Sequence, residues 1–132
     1  MNATKSQRPL QSMTMKNRMP TTRQSVTHKA VIHSAEGRVK FFVTVGLYDD
    51  GRPGEVFITC DESGGRLDGF SDCWAIAISM LLQTGTTLDQ LAEKFAFQGF
   101  EPAGRTDCPA VRYARSVPDY ISRWMQTEFS HE

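Results

Sequence analysis

Residues 25–60 read SVTHKAVIHSAEGRVKFFVTVGLYDDGRPGEVFITC, and this stretch decides the fold. Val26, His28, Ala30 and Ile32 alternate with Thr27, Lys29, Val31 and His33, the two-residue period of a strand. Glu36-Gly37 marks a turn. Val39 to Tyr48 is dense in β-branched and aromatic residues and predicts a second strand. Asp49-Asp50-Gly51-Arg52-Pro53-Gly54 is turn chemistry, because glycine tolerates positive φ and proline fixes its own. Glu55 to Cys60 then returns as a third strand. Strands joined this tightly must run antiparallel, so residues 25–60 predict a three-stranded meander.

Downstream the period changes. Leu67 to Gln83 predicts a helix with Phe70, Trp74, Ala77 and Leu81 on one face and Cys73, Ile76 and Met80 beside it. So wide an apolar arc predicts a largely buried helix lying across the sheet. Gly85 stops it. Thr87-Leu88-Asp89-Gln90 has the form of a capping box and opens a second helix through about Phe95, with Leu88, Leu91 and Phe95 inward. Phe97 to Tyr113, with Pro102, Gly104 and Pro109, reads as a long connection. Ser116-Val117-Pro118-Asp119 starts a third helix: Ser116 caps, Pro118 loses little in the first turn, and Asp119 faces the positive end of the dipole. Tyr120, Ile121, Trp124 and Met125 form its inward stripe. The fold class is therefore α+β, a three-stranded antiparallel sheet packed with about three helices in two layers. Residues 1–24, polar and aperiodic with Pro9 and Pro20, read as a basic flexible arm. The domain is assigned to 25–126 and a short tail to 127–132.

The chain has 132 residues, enough for one hydrophobic core, and zero formal net charge. The charge is unevenly placed. Residues 1–40 hold eight Lys or Arg against one acid, Glu36, and the remainder holds seven against fourteen. A basic arm on an acidic body fits nucleic-acid contact or tethering to an acidic surface; without aromatic residues in the arm, nucleic acid is the weaker reading. The longest apolar run, within Cys73 to Leu82, is too short to span a membrane, and the N-terminus has no apolar signal region. Three scattered cysteines, Cys60, Cys73 and Cys108, suit a reducing cytoplasmic setting. With His28, His33 and His131 they offer metal-ligand chemistry, but no C-x-x-C or H-x-x-x-H spacing supports it, so the thiols read as small apolar residues. His28 reads as structural. Glu62 to Leu67 offers free amides before a helix, yet lacks a phosphate-loop pattern, and Asp68 and Asp72 would repel an anion. Asp72, placed beside a buried face, would need donors such as Arg23 or Lys29.

Several blocks in register carry a family resemblance. Met19 to Lys29, including Arg23, Thr27, His28 and Lys29, is the first. Val45 to Thr59 is the second, with Gly46, Gly51, Pro53 and Gly54. Gly69, Asp72 and Ala75 form the third, Phe100-Glu101-Pro102-Ala103-Gly104 the fourth, and Ser116 to Trp124, with Asp119, Tyr120, Arg123 and Trp124, the last. Over residues 19–125 the chain resembles the C-terminal TSCPD-type module of adenosylcobalamin-dependent (class II) ribonucleotide reductases.

The resemblance implies a catalytic barrel of several hundred residues, which 132 residues cannot hold. It also implies a C-x-x-C tail, where this sequence reads Ser130-His131-Glu132. The matching residues are therefore expected to be structural or interacting, with no catalytic, cofactor-binding or metal-binding role. Adenosylcobalamin is expected only on the related full-length enzyme. The implied partner is a ribonucleotide reductase catalytic polypeptide.

Overall fold

In the computed structural model, which describes residues 17–60 and 66–130, the predicted meander is the centre of a larger sheet. β1 (Ser25–Ser34) pairs with β2 (Gly37–Leu47), and β2 pairs with β3 (Pro53–Cys60), both antiparallel. The turn between β2 and β3 closes through Tyr48: its N–H donates to the Arg52 carbonyl at 2.8 Å and its carbonyl accepts from Gly51 at 2.9 Å. Gly51 sits at φ +90°, a conformation that favours glycine. Helix α1 (Arg66–Gln83) follows, then α2 (Leu88–Phe95).

The sheet has five strands, not three. Within the expected connection lie β4 (Gly104–Cys108) and β5 (Val111–Ala114), and the strand order is β3-β2-β1-β4-β5. β4 pairs with the end of β1, Ile32 opposite Thr106 and Ser34 opposite Gly104. These strands are five and four residues long and mostly polar. Their pairing comes from the backbone, a signal that apolar alternation does not carry. α3 (Val117–Phe129) closes the chain and runs past the boundary drawn at residue 126.

The three helices cover one face of the sheet. Register places Ala30, Ile32, Phe41, Val43, Val45, Val56 and Ile58 on that face, where they form the core with Leu82, Leu91, Tyr120, Ile121 and Trp124. The helix ends follow the sequence closely. Gln90 N–H donates to Thr87 Oγ1 at 3.1 Å and Thr87 N–H to Gln90 Oε1 at 2.9 Å, a complete capping box. Ser116 Oγ accepts from the Asp119 N–H at 3.1 Å.

α1 is turned the other way from expectation. Its buried residues are Ser71, Ala75, Ile78, Leu82 and Gln83, with Trp74 half-buried, whereas Phe70, Cys73, Ile76, Ala77, Met80 and Leu81 point to solvent. The helix lies along β3: Ser79 Oγ accepts from the Val56 N–H at 2.8 Å and donates to the Val56 carbonyl at 3.3 Å. Gln83 Nε2 donates to the Gly54 carbonyl at 2.9 Å. Those side-chain bonds fix which arc faces inward, and apolarity alone could not choose between two apolar arcs. Among the described residues no helix is long and apolar enough to cross a membrane.

Candidate functional site

The residues singled out by sequence fall into four groups. Arg23 lies on the stretch leading into β1, where its guanidinium donates to both Glu55 oxygens, at 2.6 and 2.9 Å, and to the Pro20 carbonyl. Asn17 is tied nearby, its N–H donating to the Gln83 carbonyl and its carbonyl accepting from Tyr48 Oη. Gly46 sits under the Glu55 side chain and Gly54 under Met19 and the Tyr48 ring, where an added methyl would overlap each. Residues 17–24 thus lie on a seat that these glycines leave open; Met1 to Lys16 fall outside the described residues. Pro53 opens β3 beside them.

A second group joins β1 to α3. The His28 ring stacks on Trp124 at 4.6 Å, and its Nε2 hydrogen-bonds Tyr120 Oη at 2.9 Å. Burial pushes the His28 pKa down, opposed by Glu128, and pushes the Tyr120 hydroxyl up, helped by Cys108. Burial between β1 and α3 thus disfavours the charged imidazole.

The third group centres on Asp119, whose side chain is fully buried. It accepts from the N–H groups of Phe97 (2.6 Å) and Arg115 (2.7 Å) and from Arg123 Nε (2.8 Å) and Nη2 (2.9 Å). Burial alone would raise its pKa; the bonds from Arg123, Arg115 and Phe97 outweigh it and hold the carboxyl below the usual Asp range. Arg123 also donates to the Tyr113 carbonyl and lies over the Phe97 ring at 4.6 Å. Phe97 itself is at φ +65°. Sequence read Asp119 as a helix-dipole partner, but its main work is to pin the loop that enters at Phe97. That loop carries Phe100, Glu101 and Pro102 and ends at Gly104, whose Cα packs against the His33 carbonyl.

The fourth group is the apolar surface these anchors hold in place. Phe100, Glu101 and Pro102 face Phe70, Ser71 and Trp74 of α1 across a groove of about 490 Å³, closed below by Val117 and Pro118. Trp74 Nε1 is buried at its side without a hydrogen-bond partner. The groove runs onto the outward face of α1, where Phe70 is 78% exposed, Ile76 61% and Met80 60%. No charged residue occurs between Cys73 and Gln83. An exposed apolar patch of this kind on a helix marks an interaction surface. Sequence missed this face because it assigned the same side chains to the core.

Other expectations are corrected. Asp72 and Gly69 are exposed on the first turns of α1, so Asp72 needs no buried donor, and Arg23 is bound to Glu55 instead. Cys73 is exposed rather than within a buried helix; Cys60 and Cys108 are half-buried, and burial pushes the Cys60 thiol up. Among the described residues no cluster of three His, Cys, Asp or Glu side chains could hold a metal ion. The amides at 61–65 and His131 lie outside the described residues. Thr27 bonds Thr44 across the open face of the sheet, and Lys29 is exposed beside it.

Comparison with known proteins gives this surface a context. The chain is 44% identical over 114 residues to the vitamin B12-dependent ribonucleotide reductase of Rhodopirellula baltica, covering 86% of this chain and 11% of that protein. It is 38% identical over 118 residues to the protein of that name from Bradyrhizobium diazoefficiens, covering 89% and 9%. For Streptomyces avermitilis the identity is 38% over 115 residues, covering 87% and 12%. The chain thus spans about one tenth of the length of these curated relatives. No solved structure matches it. The TSCPD domain profile matches residues 10–129, nearly the whole length, and the chain belongs to the TSCPD domain family.

Proposed function

We propose that the chain is a non-catalytic module that works with the catalytic polypeptide of a vitamin B12-dependent ribonucleoside-diphosphate reductase in deoxyribonucleotide synthesis. The observation that carries this reading is the uncharged apolar surface of α1 and its adjoining groove. In the relatives, a segment like this one is part of a chain about nine times longer, which supplies a natural neighbour for such a surface. The buried polar groups nearby, Asp119, Arg123, His28 and Tyr120, are spent on holding the loop and helices together. That use favours a recognition role over chemistry.

The reading needs no cofactor on this chain. Its described hollows, about 490 to 600 Å³ each, suit ligands of ordinary drug size and not a cobalamin with its nucleotide. In this reading the cofactor belongs to the longer polypeptide alone. The test is co-purification. A tagged chain should retain the reductase polypeptide and change its cobalamin-dependent nucleotide reduction. Met80→Glu, which places a charge on the exposed centre of α1, should abolish retention without moving the thermal midpoint. Absence of retention together with unchanged reduction refutes the proposal.

A further inference from the structure

Among the described residues no helix covers the second face of the sheet. Register assigns it Thr27, Lys29, Val31 and His33 of β1, Arg38, Lys40, Phe42 and Thr44 of β2, and Phe57 and Thr59 of β3. β4 and β5 extend it with Arg105, Asp107 and Tyr113. Arg38, His33, Arg105 and Tyr113 stand directly opposite one another on four adjacent strands. At about 4.8 Å per strand, this row is about 14 Å long.

Charge and aromaticity coincide there. Lys29, Arg38 and Arg105 stand exposed on this face; its described carboxylates are Glu55, paired with Arg23, and Asp107, which His33 holds at 2.9 Å. The exposed acids Asp72, Asp89, Glu93, Glu101 and Glu128 lie on the helices or the loop beside them. Phe57 and Tyr113 stand 53% and 52% exposed at opposite ends of the sheet, with Phe42 half-buried between them. Beside Tyr113 a hollow of about 490 Å³ is lined by Arg105, Asp107, Arg112 and Tyr113.

We infer that this open face binds single-stranded nucleic acid. Side chains on a strand stand out from the sheet, so the exposed rings of Phe57 and Tyr113 are available to stack with bases while the interleaved cations meet phosphates. Open antiparallel sheets with exposed aromatic residues take single strands in this way, whereas a duplex hides its base faces and needs an element that enters a groove. An acidic peptide would satisfy the cations but leave the aromatic rings unused. The site meets the apolar surface of α1 only at Phe57, which shares a hollow with Ile76 and Met80, and it is distinct from the basic arm that sequence alone put forward for nucleic acid.

The experiment is fluorescence anisotropy of the full chain with labelled DNA and RNA strands of about 20 nucleotides and the matching duplex, across a potassium chloride series. Single strands should bind at least about fivefold tighter than duplex. Affinity should fall with salt at a log–log slope of about −2, from about −0.7 per phosphate met by Lys29, Arg38 and Arg105. The double variant Lys29→Ala, Arg105→Ala should cut that slope to about one third. Phe57→Ala with Tyr113→Ala should weaken binding about tenfold or more and leave the slope unchanged. Circular dichroism melts of both variants should match the parent, since every replaced side chain is exposed. The inference is overturned by absence of binding at about 25 mM salt, or by equal affinity for duplex. It is equally overturned if both double variants bind like the parent while Lys5→Ala, Arg8→Ala, Lys16→Ala does not, or if polyglutamate competes as well as the oligonucleotide. Lys29→Ala with Arg105→Ala should leave reductase retention intact, so this result and that of the reductase pull-down are read independently.

Discussion

Replacing Asp119 with alanine should unfold the loop that shapes the apolar groove. The carboxylate is fully buried and accepts four hydrogen bonds, two from backbone N–H groups and two from Arg123. Removing it leaves the N–H groups of Phe97 and Arg115 without acceptors, at about 1–3 kcal/mol each if water does not reach them. It also leaves the Arg123 guanidinium, 21% exposed, without its anion; breaking a buried pair from one side costs about 3–5 kcal/mol. These losses overlap, because one cavity serves all the orphaned donors, so the expected total is about 3–5 kcal/mol. For a domain of this length that corresponds to a fall in thermal midpoint of about 10–20 °C. Asp119→Asn keeps one acceptor but turns an N–H₂ group toward a donor, and should lose about half as much. Urea denaturation followed by tryptophan fluorescence reads both values. The depressed pKa gives a second readout: stability from this group is fully present above about pH 4 and is lost as pH falls through the lower folded value. A shift below about 1 kcal/mol for Asp119→Ala would refute the claim that this carboxylate pins the loop.

Three further outcomes follow from the same packing. Gly104→Ala places a methyl on the His33 carbonyl where β4 joins β1 and should cost about 2–3 kcal/mol in urea titration; a loss under about 0.5 kcal/mol would mean the strands are not so close. His28 titrates below its ordinary value because burial disfavours its charge, so parent stability should decline as pH falls below about 6.5, and His28→Gln should flatten that decline. Thr87→Ala removes one half of the α2 capping box and should lower stability by about 1 kcal/mol, with no effect on reductase retention.

What the sequence disclosed depended on how local the signal was. The meander was legible because Val26 to Ile32, Val39 to Val45 and Val56 to Ile58 each carry one buried face. The capping box at Thr87 and the cap at Ser116 involve neighbours three residues apart, and both form as read. The β4–β5 hairpin was not legible: Arg105, Thr106 and Asp107 are polar edge residues, paired through backbone to a strand about seventy positions earlier. The turn of α1 failed for a different reason. Ser71, Ala75, Ile78 and Leu82 make a less hydrophobic stripe than Phe70, Cys73, Ala77, Met80 and Leu81, yet the weaker stripe is buried, because Ser79 and Gln83 bond to β3. The basic face of the sheet was invisible for a related reason, since its longest row needs the register of four strands and two of them were read as loop. Asp119 was found at the right place with only part of its role, because Phe97 and Arg115 reach it through tertiary structure.

The bonds from Ser79 and Gln83 to β3 also govern how the domain behaves at high concentration. A border strand with free N–H and C=O groups is a template for further strands, from another copy or from an unfolded chain. Here Val56 has both of its outward backbone groups occupied by one hydroxyl, and Gly54 has its carbonyl occupied by an amide. At the opposite border β5 is only four residues long, too short to seed a ladder. Around Gly54 and Val56 the β3 border is therefore closed to a further strand. Ser79→Ala would test this: the core should melt close to the parent temperature, while light scattering on storage should rise as β3 begins to recruit strands.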